Sequence, residues 1–158
     1  MSFQDYLIYR KDAAKKKISG HFTMFDVVNS ATALARKIDN RPTAQVVTNA
    51  TALIKNVLEP IRNHFNSPLN VNCMYRSPNL NKAVGGVSTS QHVKGQAADI
   101  TVNNHSIQEV FNYIKKNLIY DQVILEESNN AKWIHISFNL VHNRRQALRL
   151  VNGKYIAA

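Results

Sequence analysis

The sequence predicts an α+β domain in which N-terminal helices pack on a small, mainly antiparallel sheet. Two observations support this fold class. Apolar residues recur at helical spacing in the first part of the chain, from Phe22 to about Phe65. After that, short apolar runs separated by turn residues are typical of strands, and one helical pattern interrupts them. Helices followed by strands, without a regular alternation of the two, favour the α+β class.

Length and composition are those of one folded soluble domain. The chain has 158 residues, of which 44% are hydrophobic, and this is enough for one core. No apolar run reaches the roughly 18 residues that a membrane span needs. The N-terminus lacks the basic and apolar regions of a secretion signal, so the sequence predicts synthesis in the cytoplasm without export by this chain alone.

The balance of charges argues for an anionic partner. The formal net charge is +10, and a basic surface favours nucleic acid, acidic lipids or an anionic cell wall. The basic residues are scattered, with short clusters at 15–17 and 144–145, and no nucleic-acid-binding motif accompanies them. A solvated basic face is the simplest interpretation of each cluster. An anionic cell wall surface ranks next, ahead of nucleic acid.

The N-terminal part is predicted to be helical after a polar, lysine-rich lead-in. The lead-in covers residues 1–20, and a single domain is expected over 21–158. A helical region at 22–42 precedes the longest amphipathic helix, which spans 43–65 with apolar residues three and four positions apart. Pro60 predicts a kink or break within that helix.

The second part is predicted to form short strands. We expect them at residues 71–75, 97–102, 121–126, 132–138 and 146–151. Residues 76–91 are rich in Gly, Asn and Ser, which predicts a loop. Ser106 and Glu109 form a capping-box pattern that opens the one helix of this part. The polar turn at 128–130 is expected to join two of the strands into a hairpin.

Three side chains of metal-ligand type lie on or beside these strands: His92, Asp99 and His135. Two imidazoles and a carboxylate leave one position of a tetrahedral zinc ion open, which is the pattern of a catalytic site. Water at such a position can reach a pKa of about 7, so a hydrolase with one Zn²⁺ ion is expected if the three converge. A packed histidine and a turn-capping aspartate explain the same residues equally well, and spacing alone leaves both interpretations open. Cys73, the only cysteine, lies in an apolar run and is expected to be a buried, unreactive thiol.

Strand alternation predicts which side chains share a cleft with His135. Ser137 lies on the same strand face as His135, and the opposite face is apolar and suits the core. On the preceding strand, Gln122 and Glu126 share the face that would look into this cleft. Glu126 is therefore the predicted general base. Glu127 is the alternative, because a bulge of one residue would exchange the two.

Arg76 follows the first predicted strand and is the remaining candidate for the site. Its guanidinium group is suited to a substrate carboxylate or to the oxyanion of a tetrahedral intermediate. Ser90, Gln122 and Ser137 are the further predicted substrate contacts. With Glu126, these residues complete the candidate active site.

Two motifs resemble those of the zinc D-Ala-D-Ala carboxypeptidase family. That family includes D,D-dipeptidases, L-alanyl-D-glutamate endolysins of phages and, distantly, the hedgehog signalling domain. The motifs are Ser-x-His-x-x-Gly-x-Ala-x-Asp-Ile and Trp-x-His-x-Ser, here formed by Ser90, His92, Gly95, Ala97, Asp99 and Ile100, and by Trp133, His135 and Ser137. Landmarks of the small single-domain bacterial and phage branch also recur over residues 21–140, among them Phe22, Asn40, Pro42, Tyr75, Arg76, Asn81 and Gly85.

The resemblance implies a hedgehog-like or D,D-peptidase-like fold with one zinc ion bound by His92, Asp99 and His135. It implies that Arg76 holds the substrate carboxylate or stabilises the transition state. The implied activity is hydrolysis of peptidoglycan stem peptides, as a D,D-carboxypeptidase or as an endopeptidase of the endolysin type. Such an enzyme would act on the cell wall after release or as part of a phage particle.

The chain departs from the family at the position of the catalytic acid. Several relatives place this acid three residues before the last histidine, where this chain has Lys132. The hedgehog-like pattern Asp-x-Val-x-x-Glu instead matches Asp121 to Glu126, which agrees with the strand-face prediction for Glu126.

Two other functions remain open at the level of sequence. One is a wall-binding or phage-particle structural module that retains zinc without turnover, which the release of stem-peptide fragments would exclude. The other is a nucleic-acid-binding protein, which the charge alone suggests and which predicts steeply salt-dependent binding. The choice between carboxypeptidase and endopeptidase also remains open.

Overall fold

Helical segments form the N-terminal half of the structure, a computed structural model that describes residues 2–158. Five helices lie there, and two more lie among the strands of the second half. They are α1 (Phe3–Ala13), α2 (Met24–Val28), α3 (Ala31–Arg36), α4 (Ala44–Leu53), α5 (Glu59–Phe65), α6 (Pro78–Ala83) and α7 (Ile107–Asn117).

Helix α1 lies in the segment that the sequence predicted to be a polar lead-in. Ser2 and Asp5 form a capping box at its start. Tyr6 and Ala13 are fully buried, and the Tyr6 hydroxyl donates a hydrogen bond of 2.7 Å to the Val28 carbonyl oxygen. Residues 3–13 are therefore part of the packed fold, which corrects the lead-in prediction. The face that Phe3, Tyr6, Tyr9 and Ala13 turn to the core is hard to recognise in the sequence, because Ile8 is apolar and yet exposed.

The long helix predicted over 43–65 is present with a change of hydrogen bonding in its middle. Helix α4 runs directly into a π-helical turn, Ile54–Leu58, which leads into α5. Pro60 lies in the first turn of α5. Proline has no backbone N–H, so Pro60 cannot donate the hydrogen bond that would continue the helix. The wider π-helical turn lies directly before it, where the sequence predicts a kink or break.

The strands form one six-stranded sheet with the order β1-β2-β4-β3-β5-β6. All neighbours pair antiparallel except β3 and β5, which are parallel. The predicted α+β class with a mainly antiparallel sheet is confirmed. The strands are β1 (Leu69–Cys73), β2 (Ala97–Val102), β3 (Gln122–Ser128), β4 (Ala131–Ser137), β5 (Gln146–Val151) and β6 (Lys154–Ala157).

Two further elements differ from the sequence prediction. The predicted loop 76–91 contains α6, which starts at Pro78 with Ser77 as its cap. Serine as the cap and proline in the first turn are both favoured at the start of a helix. Strand β6 was not predicted. It follows Asn152 and Gly153, whose φ angles of 49° and 77° are those of a two-residue hairpin turn, so the Asn-Gly signal was available in the sequence.

One face of the sheet packs against the helices and forms the core. Its apolar side chains come from the central strands and from α7. None of the helices in residues 2–158 is long and apolar enough to span a lipid bilayer. The fully buried members include Ile100, Val123, Ile134 and Ile136 of the sheet and Ile114 of α7. The strand residues between them point to the opposite, open face.

Replacing Tyr6 with alanine tests whether α1 belongs to the fold. We expect Tyr6→Ala to lower the free energy of unfolding by about 3–5 kcal/mol, because a buried aromatic ring leaves a cavity. Ile8→Ala, at a position 63% exposed on the same helix, should change it by less than about 0.5 kcal/mol. Urea unfolding followed by circular dichroism measures both. Equal, small effects would mean that α1 does not pack as described.

Candidate metal centre

A row of side chains crosses the open face of the sheet. The strand register pairs Cys73 with Asp99, Asp99 with His135, and His135 with Ile124. Side chains at paired positions project to the same face of a sheet. The strands thus place two of the three predicted ligands, Asp99 on β2 and His135 on β4, side by side.

His92 approaches this row from a short 3₁₀ turn, Gln91–Lys94, that precedes β2. Its ring is 3% exposed, and Nδ1 lies 2.7 Å from the Met74 carbonyl oxygen. A carbonyl oxygen only accepts hydrogen bonds, so Nδ1 carries the proton. The lone pair of the neutral ring is then on Nε2, which faces Asp99.

Gly95 ends the turn that carries His92. Its φ angle of 72° is in the left-handed region, and a Cβ there would lie 2.8 Å from the Val46 carbonyl oxygen. Both the conformation and the close approach to α4 require glycine. This is the physical reason for the glycine between the first two predicted ligands.

The Asp99 carboxylate lies between the two imidazoles. Asp99 Oδ1 lies 3.5 Å from His92 Nε2 and 3.1 Å from His135 Nδ1. Ligands of a tetrahedral zinc ion, each about 2.0–2.1 Å from the metal, lie about 3.3 Å from one another. The nitrogen and oxygen donors and both spacings therefore fit zinc, and three protein ligands leave a fourth position for water or substrate.

Cys73, predicted from the sequence to be a buried, unreactive thiol, is half-buried and is a fourth potential donor. Ligand atoms of Cys73, His92 and Asp99 lie within 4.8 Å of one another. The Cys73 sulfur lies 3.8 Å from His92 Nδ1, the nitrogen that is bonded to the Met74 carbonyl. Because His92 would bind a metal through Nε2, on the other side of the ring, His135 fits the ligand set better than Cys73 does.

The charges of these ligands depend on one another. Burial raises the pKa of Asp99, but hydrogen bonds from His135 and His92 outweigh it and hold that pKa well below its ordinary value. Burial lowers the pKa of His92, but Asp99 and then Cys73 outweigh it and raise that pKa to about 10. Without a metal, a proton on His92 balances the Asp99 carboxylate. A divalent cation would replace that proton as the positive charge of the site.

Glu126 lines the same cavity as the three donors, a space of about 530 Å³. Burial, followed by the negative charge of Asp99, raises the pKa of Glu126. Its neighbour Glu127 is exposed and borders a different surface groove, beside Lys132. Glu126 is thus the carboxylate of the pair that faces the cavity. Lys132 pairs in register with Glu127 and lies outside the cavity, although several relatives carry an acid at this position.

Arg76 and Ser90 form a polar wall of the cavity. Arg76 Nη2 donates to Ser90 Oγ at 3.2 Å, and Arg76 Nε is buried without a hydrogen-bond partner among the described residues. An unsatisfied, buried guanidinium N–H is costly unless a ligand pairs with it. Ser90 Oγ also accepts the backbone N–H of His92 at 3.3 Å, so it positions both side chains.

The other predicted substrate contacts have different surroundings. Gln122 lines the cavity. Ser137 is fully buried, and its Oγ accepts the backbone N–H of Gln122 at 3.0 Å. The position of Ser137 therefore does not support its predicted contact with substrate. It lies on the same strand face as His135, but the first residue of β3, Gln122, hydrogen-bonds to its hydroxyl and Ser137 is inaccessible to solvent.

A second polar cluster, Asp121 with Gln91 and Arg144, holds the turn that carries His92. Asp121 Oδ2 accepts Gln91 Nε2 at 2.9 Å and Arg144 Nη2 at 2.8 Å. Asp121 Oδ1 accepts the backbone N–H and Nε of Arg144 at 2.9 and 3.1 Å. The carboxylate therefore ties the 3₁₀ turn to β3 and to the loop before β5. Arg144 and Gln91 were not identified from the sequence, because no local pattern links them to Asp121.

Zinc binding distinguishes the two ligand sets. We expect the protein to bind one zinc ion. His135→Ala should lower the affinity for zinc by about 100-fold or more, because loss of a direct ligand should cost more than loss of a residue that only hydrogen-bonds to a ligand. Cys73→Ser and the exposed His142→Ala should keep the affinity within a few-fold. Competition with a chromogenic chelator measures it. Loss of zinc in Cys73→Ser but not in His135→Ala would assign the metal to Cys73, His92 and Asp99.

The stability of the Asp121 cluster should depend on pH. Hydrogen bonds from Arg144 hold the pKa of Asp121 at about 2, below the ordinary value of about 3.9. A lowered pKa stabilises the fold above about pH 4, and this contribution is lost as the pH falls towards 2. Asp121→Asn should therefore cost about 2 kcal/mol of unfolding free energy at pH 6 and less at pH 2. Urea unfolding at both values checks this, with the exposed Asp12→Asn as the control; a cost independent of pH would contradict it.

Comparison with known families agrees with the fold. The family described as Peptidase M15 matches residues 20–137, a stretch that covers well over half of the chain and contains His92, Asp99, Glu126 and His135. No curated protein matches the chain. The extent of the match shows that the chain belongs to the peptidase M15 family, the zinc D-Ala-D-Ala carboxypeptidase family that its motifs resemble.

Proposed function

We propose that this protein is a zinc-dependent peptidase that hydrolyses peptidoglycan stem peptides at a bond involving a D-amino acid. One observation carries the proposal. Two imidazoles that flank a carboxylate, with His92 Nε2 and His135 Nδ1 at 3.5 and 3.1 Å from Asp99 Oδ1, share a cavity with Glu126, a carboxylate of raised pKa. The family supports peptidase chemistry, and the net charge of +10 suits an anionic cell wall.

The donor set determines what a metal would contribute. A zinc ion held by His92, Asp99 and His135 would polarise the scissile carbonyl and lower the pKa of water towards neutrality. The hydrogen bond from His92 Nδ1 to the Met74 carbonyl keeps the imidazole in the orientation and tautomer that present Nε2. The bond between Ser90 Oγ and the backbone N–H of His92 restrains the same turn.

Glu126 is suited to the proton transfers of the reaction. Its carboxylate would accept a proton from the attacking water as the new C–O bond forms. It would then deliver that proton to the leaving nitrogen as the C–N bond breaks. Burial and the charge of Asp99 raise the pKa of Glu126. A raised pKa lies closer to neutral pH, so Glu126 can both accept a proton from water and give it to the leaving nitrogen.

Arg76 is suited to the negative charge of the substrate. Its Nε is buried and unpartnered among the described residues, and Ser90 holds its Nη2 in place. A guanidinium group held in this way can bind a peptide carboxylate or the developing oxyanion with little reorganisation. Gln122, on the same wall as Glu126, offers an amide to the peptide backbone.

Glu126→Gln tests the assignment of the base. We expect turnover to fall by about 10²- to 10⁴-fold while zinc remains bound, because glutamine keeps the shape but cannot accept a proton. Glu127→Gln is the matched control and should keep full activity. Release of free amine from a synthetic stem peptide measures the rate. Full activity of Glu126→Gln, or loss of activity in Glu127→Gln, would contradict the assignment.

Digestion of purified peptidoglycan tests the function itself. Mass spectrometry of the muropeptides should show shortened stem peptides, and a chelator should abolish them. Loss of the terminal D-alanine alone would indicate a carboxypeptidase, and cleavage within the stem or a cross-link would indicate an endopeptidase. Binding to the wall without any release of fragments would instead indicate a structural module that retains zinc.

A further inference from the structure

The C-terminal hairpin borders the same cavity as the metal centre. Strands β5 and β6 follow the segment that the family matches, which ends at residue 137. Strand β5 pairs with β3, the strand that carries Glu126, and β6 extends the sheet beyond it. Arg144, before β5, and Tyr155, on β6, line the cavity together with His92, Asp99 and His135. One wall of the cleft is therefore built from residues outside the matched segment.

The register of these strands forms an apolar strip on the open face of the sheet. Leu148 pairs with Ile124, and Leu150 pairs with Tyr155. Alternation places all four side chains on the face that carries the metal centre. Leu148 and Leu150 are partly exposed, and Tyr155 is 59% exposed. Exposed apolar surface that continues from a polar cleft is suited to a ligand.

The strip is long enough to contact substrate residues beyond the scissile bond. Strand β5 separates β3 from β6, and neighbouring strands lie about 4.8 Å apart, so Tyr155 is about 10 Å from the Glu126 position across the sheet. An extended peptide advances about 3.3 Å per residue, so this distance corresponds to about three residues. A dipeptide spans about 7 Å and cannot reach from Glu126 to Tyr155, whereas a pentapeptide can.

Arg144 adds a cation to this wall. Its Nε and Nη2 donate to Asp121 at 3.1 and 2.8 Å, which fixes the plane of the guanidinium group. Half of the side chain remains exposed, at 50%, and Nη1 makes no hydrogen bond within residues 2–158 that would compete with a ligand. A guanidinium group already held in one orientation loses little entropy when it binds a carboxylate.

We propose that Tyr155 and Arg144 form a substrate subsite that binds a carboxylate-bearing residue about three positions from the scissile bond. The proposal rests on the peptidase function above and deepens it. The cleft should discriminate a long, acidic stem peptide from a short one. In a stem pentapeptide that ends in D-alanyl-D-alanine, a D-glutamate with a free carboxylate lies at this distance from the terminal bond.

Calorimetry with zinc-loaded Glu126→Gln protein tests the subsite without turnover. The probes are the pentapeptide L-Ala-γ-D-Glu-L-Lys-D-Ala-D-Ala, the same peptide with the glutamate carboxylate converted to an amide, and D-Ala-D-Ala. We expect Tyr155→Ala to weaken binding of the pentapeptide about tenfold, as the loss of an aromatic contact would, and to leave the dipeptide unchanged. Ile156→Ala is the matched control, since Ile156 is the next residue, 49% exposed, on the opposite face.

The carboxylate and its amide test Arg144. The protein with an intact Arg144 should bind the carboxylate form about tenfold more tightly, consistent with a charge-assisted bond, and Arg144→Gln should remove this preference. If Arg144→Gln fails to fold because Asp121 loses its partner, the comparison of the two peptides on protein with an intact Arg144 still shows whether the cleft recognises the carboxylate. Equal binding of both peptides, unchanged pentapeptide binding in Tyr155→Ala, or no pentapeptide binding at all would overturn the subsite.

The two proposals fail in different ways. Discrimination between the peptides in calorimetry, without hydrolysis by the unaltered protein, would overturn the peptidase function and leave the subsite intact. Hydrolysis of the pentapeptide with the same KM and kcat in Tyr155→Ala and Ile156→Ala would overturn the subsite and leave the peptidase function intact.

Discussion

The carboxylate of Asp99, held between two imidazoles on the open face of the sheet, is the interaction on which the rest of the site depends. Burial alone would favour its neutral form, and only the two histidines keep its pKa low. Each histidine in turn needs a support: strand pairing places His135 opposite Asp99, and the Met74 carbonyl orients His92. Such a group of charges is unfavourable in a dry interior unless every member is paired. A divalent cation bound by these ligands would supply the positive charge that the carboxylate needs.

The supports of this site come from distant parts of the chain. Asn49 on α4 donates to the carbonyl of Lys94 at 2.9 Å, and Gly95 packs directly against Val46 of the same helix. Asp121 binds Gln91 on the other side of the turn. The short turn that carries His92 is therefore clamped between a helix and the sheet. This restraint allows a ligand on a short irregular segment to hold its geometry, as a preorganised site requires.

Much of the fold was predictable because its signals are local. Strand β2 has the predicted bounds, and the capping box of Ser106 and Glu109 opens α7 as expected. Helix α1 was missed because its buried face, formed mainly by Tyr6 and Ala13 seven residues apart, is obscured by Ile8, an apolar residue that is exposed. The turn residues before β6 were visible, but a strand with four exposed residues has no apolar alternation to reveal it. A strand at the edge of a sheet, such as β6, is held mainly by backbone hydrogen bonds to its neighbour, and these leave little trace in the pattern of side chains.

The sequence by itself determined the chemical types at the metal centre and the strand faces of His135 and Glu126, because residue identity and two-residue alternation are local properties. Only the tertiary structure decided which side chains meet. It placed Cys73 beside His92, buried Ser137 under the start of β3, and brought Arg144 and Tyr155 to the cleft. These outcomes depend on strand order and register, which are set by packing between segments far apart in the chain. No local pattern encodes that packing, since a shift of one residue would send the same side chains to the opposite face.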